Sequence, residues 1–241
     1  SKKRYVGEKF EMDPDKSKQT SMGIVLKRRD NAPIVKYVYG GVIDIIMNEK
    51  NIAKSLQFLK DSLVRLLDGE FPLEELIISK SLRGFYKDPD RIAHKVLADR
   101  MGKRDPGNKP SVGDRIHYVF IKTNKSRALQ GEKIETPEFI SSNGLEIDYA
   151  QYVTNQISKP VIQLLTFVLE DLNIFKREYG SSLTFWKRKL RELRKQNPGD
   201  DTYAKSLTKL KEKEADRIIF KKLISHGAGS CGSRSLDSYF R

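Results

Sequence analysis

Apolar positions recur along the chain with two different periods. Residues 3–11 alternate weakly and carry Tyr5, Val6 and Phe10, which suits a strand. Asp13-Pro14-Asp15 reads as a turn, and residues 21–28, with Met22, Ile24, Val25 and Leu26, suit a second strand pairing back as a hairpin. The period then changes. Pro33 opens a helical pattern of Ile34, Val35, Val38, Val42, Ile45 and Ile46 that Gly40-Gly41 should interrupt. Ile52, Leu56, Leu59, Leu63, Leu66 and Leu67 form one stripe, closed by Gly69. Leu76 to Leu82 is a short strand. Asp88-Pro89-Asp90 should open and cap a helix with Ile92, Val96, Leu97 and Met101 on its inner face.

Asp105-Pro106-Gly107-Asn108 is a turn, and residues 114–122 form a strand through Ile116, Tyr118, Phe120 and Ile121. Residues 131–143 read as a loop. Asp148 should cap a longer helix carrying Tyr152, Val153, Ile157, Val161, Leu164, Leu165 and Val168, which Pro160 should kink or split. From Leu183 the pattern narrows. Leu183, Trp186, Leu190 and Leu193, then Tyr203, Leu207, Leu210, Ile218 and Ile219, flank Asn197-Pro198-Gly199-Asp200 and predict an antiparallel helical hairpin with thin apolar seams. Beyond His226 the chain is small and polar until Leu236, Tyr239 and Phe240.

Charge changes this picture. The 241 residues carry a formal net charge of +14, which points to a polyanionic partner. An anionic membrane surface would call for one basic amphipathic helix with a free bulky apolar face. The basic runs are dispersed instead, from Lys2-Lys3-Arg4 through Lys27-Arg28-Arg29 and Lys103-Arg104 to Lys187-Arg188-Lys189 and Lys221-Lys222. Dispersal suits an extended phosphate backbone. The single Cys231 excludes a disulfide scaffold and, with three histidines, a Cys₄ or Cys₂His₂ zinc site. No apolar run is long enough to span a membrane, and the first residues lack a secretory h-region, so an intracellular chain is expected.

Catalytic constellations are absent from the pattern. Asp13-Asp15 and Asp88-Asp90 are paired carboxylates, but both sit at proline-containing turns. His94, His117 and His226 have no metal-ligand spacing, no phosphate loop occurs, and Ser230-Cys231 lies in the polar tail. We therefore expect no catalytic and no metal residue in these 241 positions.

Several segments resemble the palm end and thumb of family B DNA polymerases, the delta-like replicative group of eukaryotes and large DNA viruses. Lys2-Lys3-Arg4-Tyr5 resembles the K-K-R-Y motif that closes the palm. Gly23-Ile24 with Arg28-Arg29-Asp30 resembles K-G-[IL]-E-x-x-R-R-D, although Met22 stands where the family has lysine. Leu97 to Met101 with Lys103 to Gly107 is similar to L-A-x-R-M-x-x-R-D-P-G. Gly113 to Val119 is similar to G-D-R-V-x-Y-V, and Thr136 to Ile140 and Ile147 to Tyr152 match the later thumb pattern.

The resemblance implies an α+β fold. A palm-end hairpin (1–30) would be followed by a mostly helical thumb with short strands (31–175), a basic helical hairpin (176–222) and a tail (223–241). It implies a part of a DNA-directed DNA polymerase, a nucleotidyltransferase. This segment would grip primer-template DNA while the Y-G-D-T-D-S aspartates and their magnesium ions belong to upstream polymerase segments. Lys2, Lys3, Arg4, Tyr5, Lys27, Arg28, Arg29, Lys103, Arg104 and Arg115 are the candidate DNA contacts, with Asp30, Asp105 and Asp114 orienting the arginines. The tail resembles the sliding-clamp (PCNA) motif Q-x-x-[ILM]-x-x-[FY]-[FY], with Leu236, Tyr239 and Phe240 as anchors and Ser233 in place of glutamine. The hairpin would either extend the duplex grip or bind a partner as a coiled coil. The alternative function is a standalone DNA-binding or clamp-tethering module without catalysis. The nucleus or a viral replication site is the expected location.

Overall fold

A computed structural model describes residues 5–10, 17–22, 24–125, 127–168 and 183–221. Two strands, β1 (Tyr5–Phe10) and β2 (Ser17–Met22), pair antiparallel with Tyr5 opposite Met22. The second strand stops at Met22 rather than running on to residue 28. Ile24 is buried in the core, and Val25–Lys27 curl into a 3₁₀ turn closed by the Arg28 N–H donating to the Val25 carbonyl. Burial of those apolar residues against the following helix replaces pairing with β1.

Helix α1 (Pro33–Asp44) begins at the proline, whose missing N–H is one that no helical carbonyl would accept. It runs straight through Gly40-Gly41, contrary to the expected break, and continues as one π turn to Glu49. The glycine is there for packing. A Cβ on Gly41 would lie 2.3 Å from Cε1 and Cζ of Phe58 on helix α2 (Ile52–Leu67). Asn51 caps α2 by accepting from the Lys54 N–H at 2.9 Å. At its other end Gly69 takes φ +75°, and the Gly69 and Glu70 N–H groups donate to the Leu66 and Arg65 carbonyls.

A three-stranded antiparallel sheet, β3 (Ile78–Ser81), β4 (Arg115–Phe120) and β5 (Ile134–Glu135), shares one hydrophobic core with this helix pair. Helix α3 (Ala93–Arg104) enters after Ile92. Asp88 makes no side-chain cap, because a separate 3₁₀ turn (Pro89–Arg91) intervenes before the helix starts. The expected loop at 131–143 contains β5 and helix α4 (Pro137–Asn143). Thr136 Oγ1 accepts the Phe139 N–H, Pro137 occupies the first turn, and Gly144 at φ +60° ends the helix.

Asp148 accepts from the Gln151 N–H at 3.0 Å and caps α5 (Tyr149–Gln151), which leads through a π turn (Tyr152–Ile157) into α6 (Ser158–Val168). The wide turn lies just before Pro160, whose ring would press on the carbonyl one α turn back. Helices α7 (Leu183–Gln196) and α8 (Asp200–Ala215) form the charged hairpin. Its base joins the main core: Ala215, Ile219 and Phe220 are buried with Val161, Ile162 and Leu165 of α6. The fold is α+β.

Candidate nucleic-acid interface

The β3–β4 register sets the site. Ser81 faces Arg115 and Ser79 faces His117, so Ser79, Ser81 and Arg115 share one face of the sheet. The Arg115 guanidinium donates to Ser79 Oγ (2.8 Å), Ser81 Oγ (3.1 Å) and the Ser79 carbonyl (2.8 Å). All three acceptors are neutral. The fork is held in one direction and keeps its whole charge.

Arg115 lines a cleft of about 490 Å³, together with Arg29, Lys80 and Arg83. Arg29 arrives on the bend after the first 3₁₀ turn, Lys80 from β3, and Arg83 from the loop that follows β3. The one carboxylate in the wall is Asp30. It is bound bidentate by Arg28, Nε to Oδ1 at 2.9 Å and Nη2 to Oδ2 at 2.6 Å. That hydrogen bond, with help from Lys80, holds the Asp30 carboxyl below the usual carboxylate range. Four cations therefore face one acid that a fifth cation already occupies.

Tyr86 and His94 complete the wall. The Tyr86 hydroxyl accepts the Arg83 N–H at 2.8 Å and lies 3.1 Å from His94 Nε2. It can then donate its own proton to Nε2, which assigns the ring proton to Nδ1. Burial pushes the His94 pKa down, and the Lys80 and Arg83 charges push it the same way. The imidazole is neutral at pH 7, and the cleft is an anion-attracting surface with a hydrogen-bonding rim.

The structure sorts the predicted contact residues. Arg29 is exposed in the cleft wall, Lys27 is exposed at the end of the Val25–Lys27 turn, and Lys103 is exposed on the last turn of α3. Arg28 is committed to Asp30. Arg104 is committed to the fold: its two Nη atoms donate to both oxygens of Glu135 at 3.1 and 2.8 Å, and its guanidinium lies 3.6 Å above the Phe139 ring. Glu135 is 3% exposed and is also 3.2 Å from Arg100 Nε. The Arg100 Nη atoms donate to the Gly131 and Ile134 carbonyls.

Asp30 orients Arg28 as expected, but Asp105 and Asp114 do not orient arginines. They close turns, accepting from Asn108 Nδ2 and the Ser111 N–H. Tyr5 opens β1. Lys2, Lys3 and Arg4, and the tail residues Leu236, Tyr239 and Phe240, lie outside the described residues.

Sequence reasoning missed Lys80, Arg83, Tyr86 and His94. The interleaved basic and aromatic residues of Lys80 to Lys87 were a local signal. Their convergence with Arg29 and Arg115 is produced only by the strand register.

The chain matches the model of DNA polymerase family B over residues 1–168. The chain belongs to DNA polymerase family B. It is 47% identical over 245 aligned residues, covering the whole chain, to a DNA polymerase of Pyramimonas orientalis virus. It is 36% identical over 172 residues, 70% of the chain, to the DNA polymerase delta catalytic subunit of Candida albicans. The chain spans 20% and 16% of the lengths of these two relatives. A family B DNA polymerase from Pyrobaculum calidifontis shares the fold at a TM-score of 0.52 and 21% identity, over 70% of this chain and 20% of that one.

The family match ends at Val168, while the viral relative aligns across the charged hairpin as well. No described helix is long and apolar enough to cross a membrane. Among the described residues no three His, Cys, Asp or Glu side chains converge as metal ligands.

Proposed function

We propose that this chain is the palm-end and thumb part of a replicative DNA-directed DNA polymerase, and that it grips the primer-template duplex. The observation that carries the reading is the cleft in which Arg29, Lys80, Arg83 and Arg115 surround a single, already paired carboxylate. Phosphate contacts of this kind fix register and orientation without reading sequence, which a replicative enzyme requires. Lys27 and Lys103 extend the contact, and Lys2, Lys3, Arg4 and Tyr5 approach the duplex near the primer terminus. Arg104 and Arg28 serve by holding the surface in shape.

The nucleotidyl transfer belongs to other polymerase segments, which hold the magnesium ions. This part contributes alignment of the primer end. Leu236, Tyr239 and Phe240 tether the polymerase to a sliding clamp, and the work is done in the nucleus or at a viral replication site.

The test is fluorescence anisotropy of a labelled primer-template duplex across a salt series. Each lost phosphate contact should lower the slope of log K against log salt by about 0.9. Lys80→Gln with Arg83→Gln should therefore lower it by nearly 2 and weaken binding at every sequence. An unchanged slope would remove the cleft from the DNA path.

A further inference from the structure

The hairpin beyond the family match has a charge distribution that the seam between its helices does not explain. Helix α7 carries six basic residues and one acidic residue. Helix α8 carries four of each, with two of its acids, Asp200 and Asp201, in the first turn, Glu214 at the buried base and Asp201 heading the line of Lys205, Lys209 and Lys213. Glu214 is 4% exposed and accepts from Lys189 and Arg217. Asp200 binds Arg194 at the tip, where that guanidinium also lies 4.7 Å from the Tyr203 ring. The apolar residues Leu190, Leu193, Leu207 and Leu210 are half-buried in the seam.

Outside the seam the exposed cations outnumber the exposed acids Glu192, Asp200 and Asp201. Lys205, Lys209 and Lys213 are exposed at four-residue intervals, so they form one line with a step of about 6 Å. Arg191 and Lys195 form a second exposed pair on α7 at the same interval. Among the described residues none of these five makes an ion pair. Like charges four apart destabilise a helix by a few tenths of a kcal/mol per pair. A polyanion lying along the row would relieve that repulsion.

We infer that the α7–α8 hairpin is a second nucleic-acid-binding element, whose two cationic rows, Lys205-Lys209-Lys213 and Arg191-Lys195, contact the backbone of duplex DNA. Charge complementarity selects a polyanion, and the regular step suits successive phosphates. Among the described residues the apolar side chains of the hairpin lie in the seam or in the joint with α6, and the two rows themselves offer a membrane or an amphipathic peptide no apolar face. The inference rests on the cleft reading only for the identity of the ligand, since a chain that grips a duplex supplies one.

The experiment uses the full chain and a long duplex in the same salt series. Lys205→Gln, Lys209→Gln and Lys213→Gln together should lower the slope of log K against log salt by about 2 to 3. The triple lysine-to-arginine variant should restore the slope, because it keeps the charge and the helix. An unchanged slope in the glutamine variant overturns the inference. Binding to phosphatidylserine vesicles that is lost in the glutamine variant, with duplex binding intact, overturns it too and makes the hairpin a membrane contact. Failure of the cleft reading looks different: Lys80 and Arg83 variants would then leave the slope alone while the hairpin variant lowers it.

Discussion

Tyr152→Phe isolates one hydroxyl at the centre of the fold. Tyr152 is fully buried, and its hydroxyl donates to the Leu76 carbonyl at 2.6 Å and accepts the Phe120 N–H at 3.2 Å. It thereby ties the 3₁₀ turn (Leu73–Leu76) that leads into β3, the central strand and the π turn together. Its ring packs edge-on against Phe120 with centroids 5.3 Å apart, a contact phenylalanine keeps. The substitution leaves a buried carbonyl and a buried N–H without their partner. Each such orphan costs about 1–2 kcal/mol, so the loss should be about 2–4 kcal/mol.

Urea titration of the two proteins measures this directly. The midpoint should fall with the m-value unchanged, because the surface exposed on unfolding is the same. A loss of 3 kcal/mol corresponds to a Tm drop of ~6–12 °C at this chain length. Burial also pushes the ionisation of Tyr152 and Tyr118 up. The unfolded chain ionises tyrosine near pH ~10, so unfolding releases protons above that pH. Stability is then complete below pH ~10 and declines as pH rises past it, and Tyr152→Phe should decline less steeply. A stability loss under about 1 kcal/mol would refute the claim that this hydroxyl is the bridge.

Gly41→Ala would ordinarily stabilise a helix by about 1 kcal/mol; here the Cβ meets the Phe58 ring at 2.3 Å, so thermal denaturation should show a net loss of about 1–2 kcal/mol. Glu135→Gln removes the acid between Arg100 and Arg104 and should cost about 3 kcal/mol by urea titration, while Glu135→Asp should cost less. Acidification should act on His94 with opposite signs in two assays. Its folded-state pKa lies below the unfolded value near ~6.5, so fold stability is present above that pH and is lost as pH falls, whereas a phosphate in the cleft favours the charged ring and tightens DNA binding. Urea midpoints and anisotropy between pH ~7.5 and ~5.5 check both, and His94→Gln should flatten both profiles.

Periodicity made most of the fold legible. The apolar stripe of α2, the alternation of β4 and the two seams of the hairpin each match the element observed. Errors arose where a local rule met a tertiary constraint. Gly40-Gly41 reads as a break, yet the second glycine is the clearance that Phe58 needs. Residues 131–143 read as a loop from their polarity, although Thr136-Pro137 and Gly144 carried the start and stop signals of a short helix. Asp88 has the chemistry of a helix cap but sits one 3₁₀ turn too early.

The site was less legible than the fold, and the reason lies with the acids. A net charge of +14 is a sum over the sequence, whereas attraction depends on which cations have been neutralised. Arg104 and Arg115 are both exposed arginines beside family-like motifs, and nothing local separates them. Glu135, in a two-residue strand with no pattern of its own, reaches Arg104 from 31 positions away and cancels its charge. Arg115 is held by two hydroxyls and a carbonyl, which orient the guanidinium and cancel nothing. The same division separates Lys189, spent on buried Glu214, from Lys205, Lys209 and Lys213 on the outside of the neighbouring helix. Each buried acid consumes an arginine or lysine to hold the fold, and the cations left over define where an anion can bind.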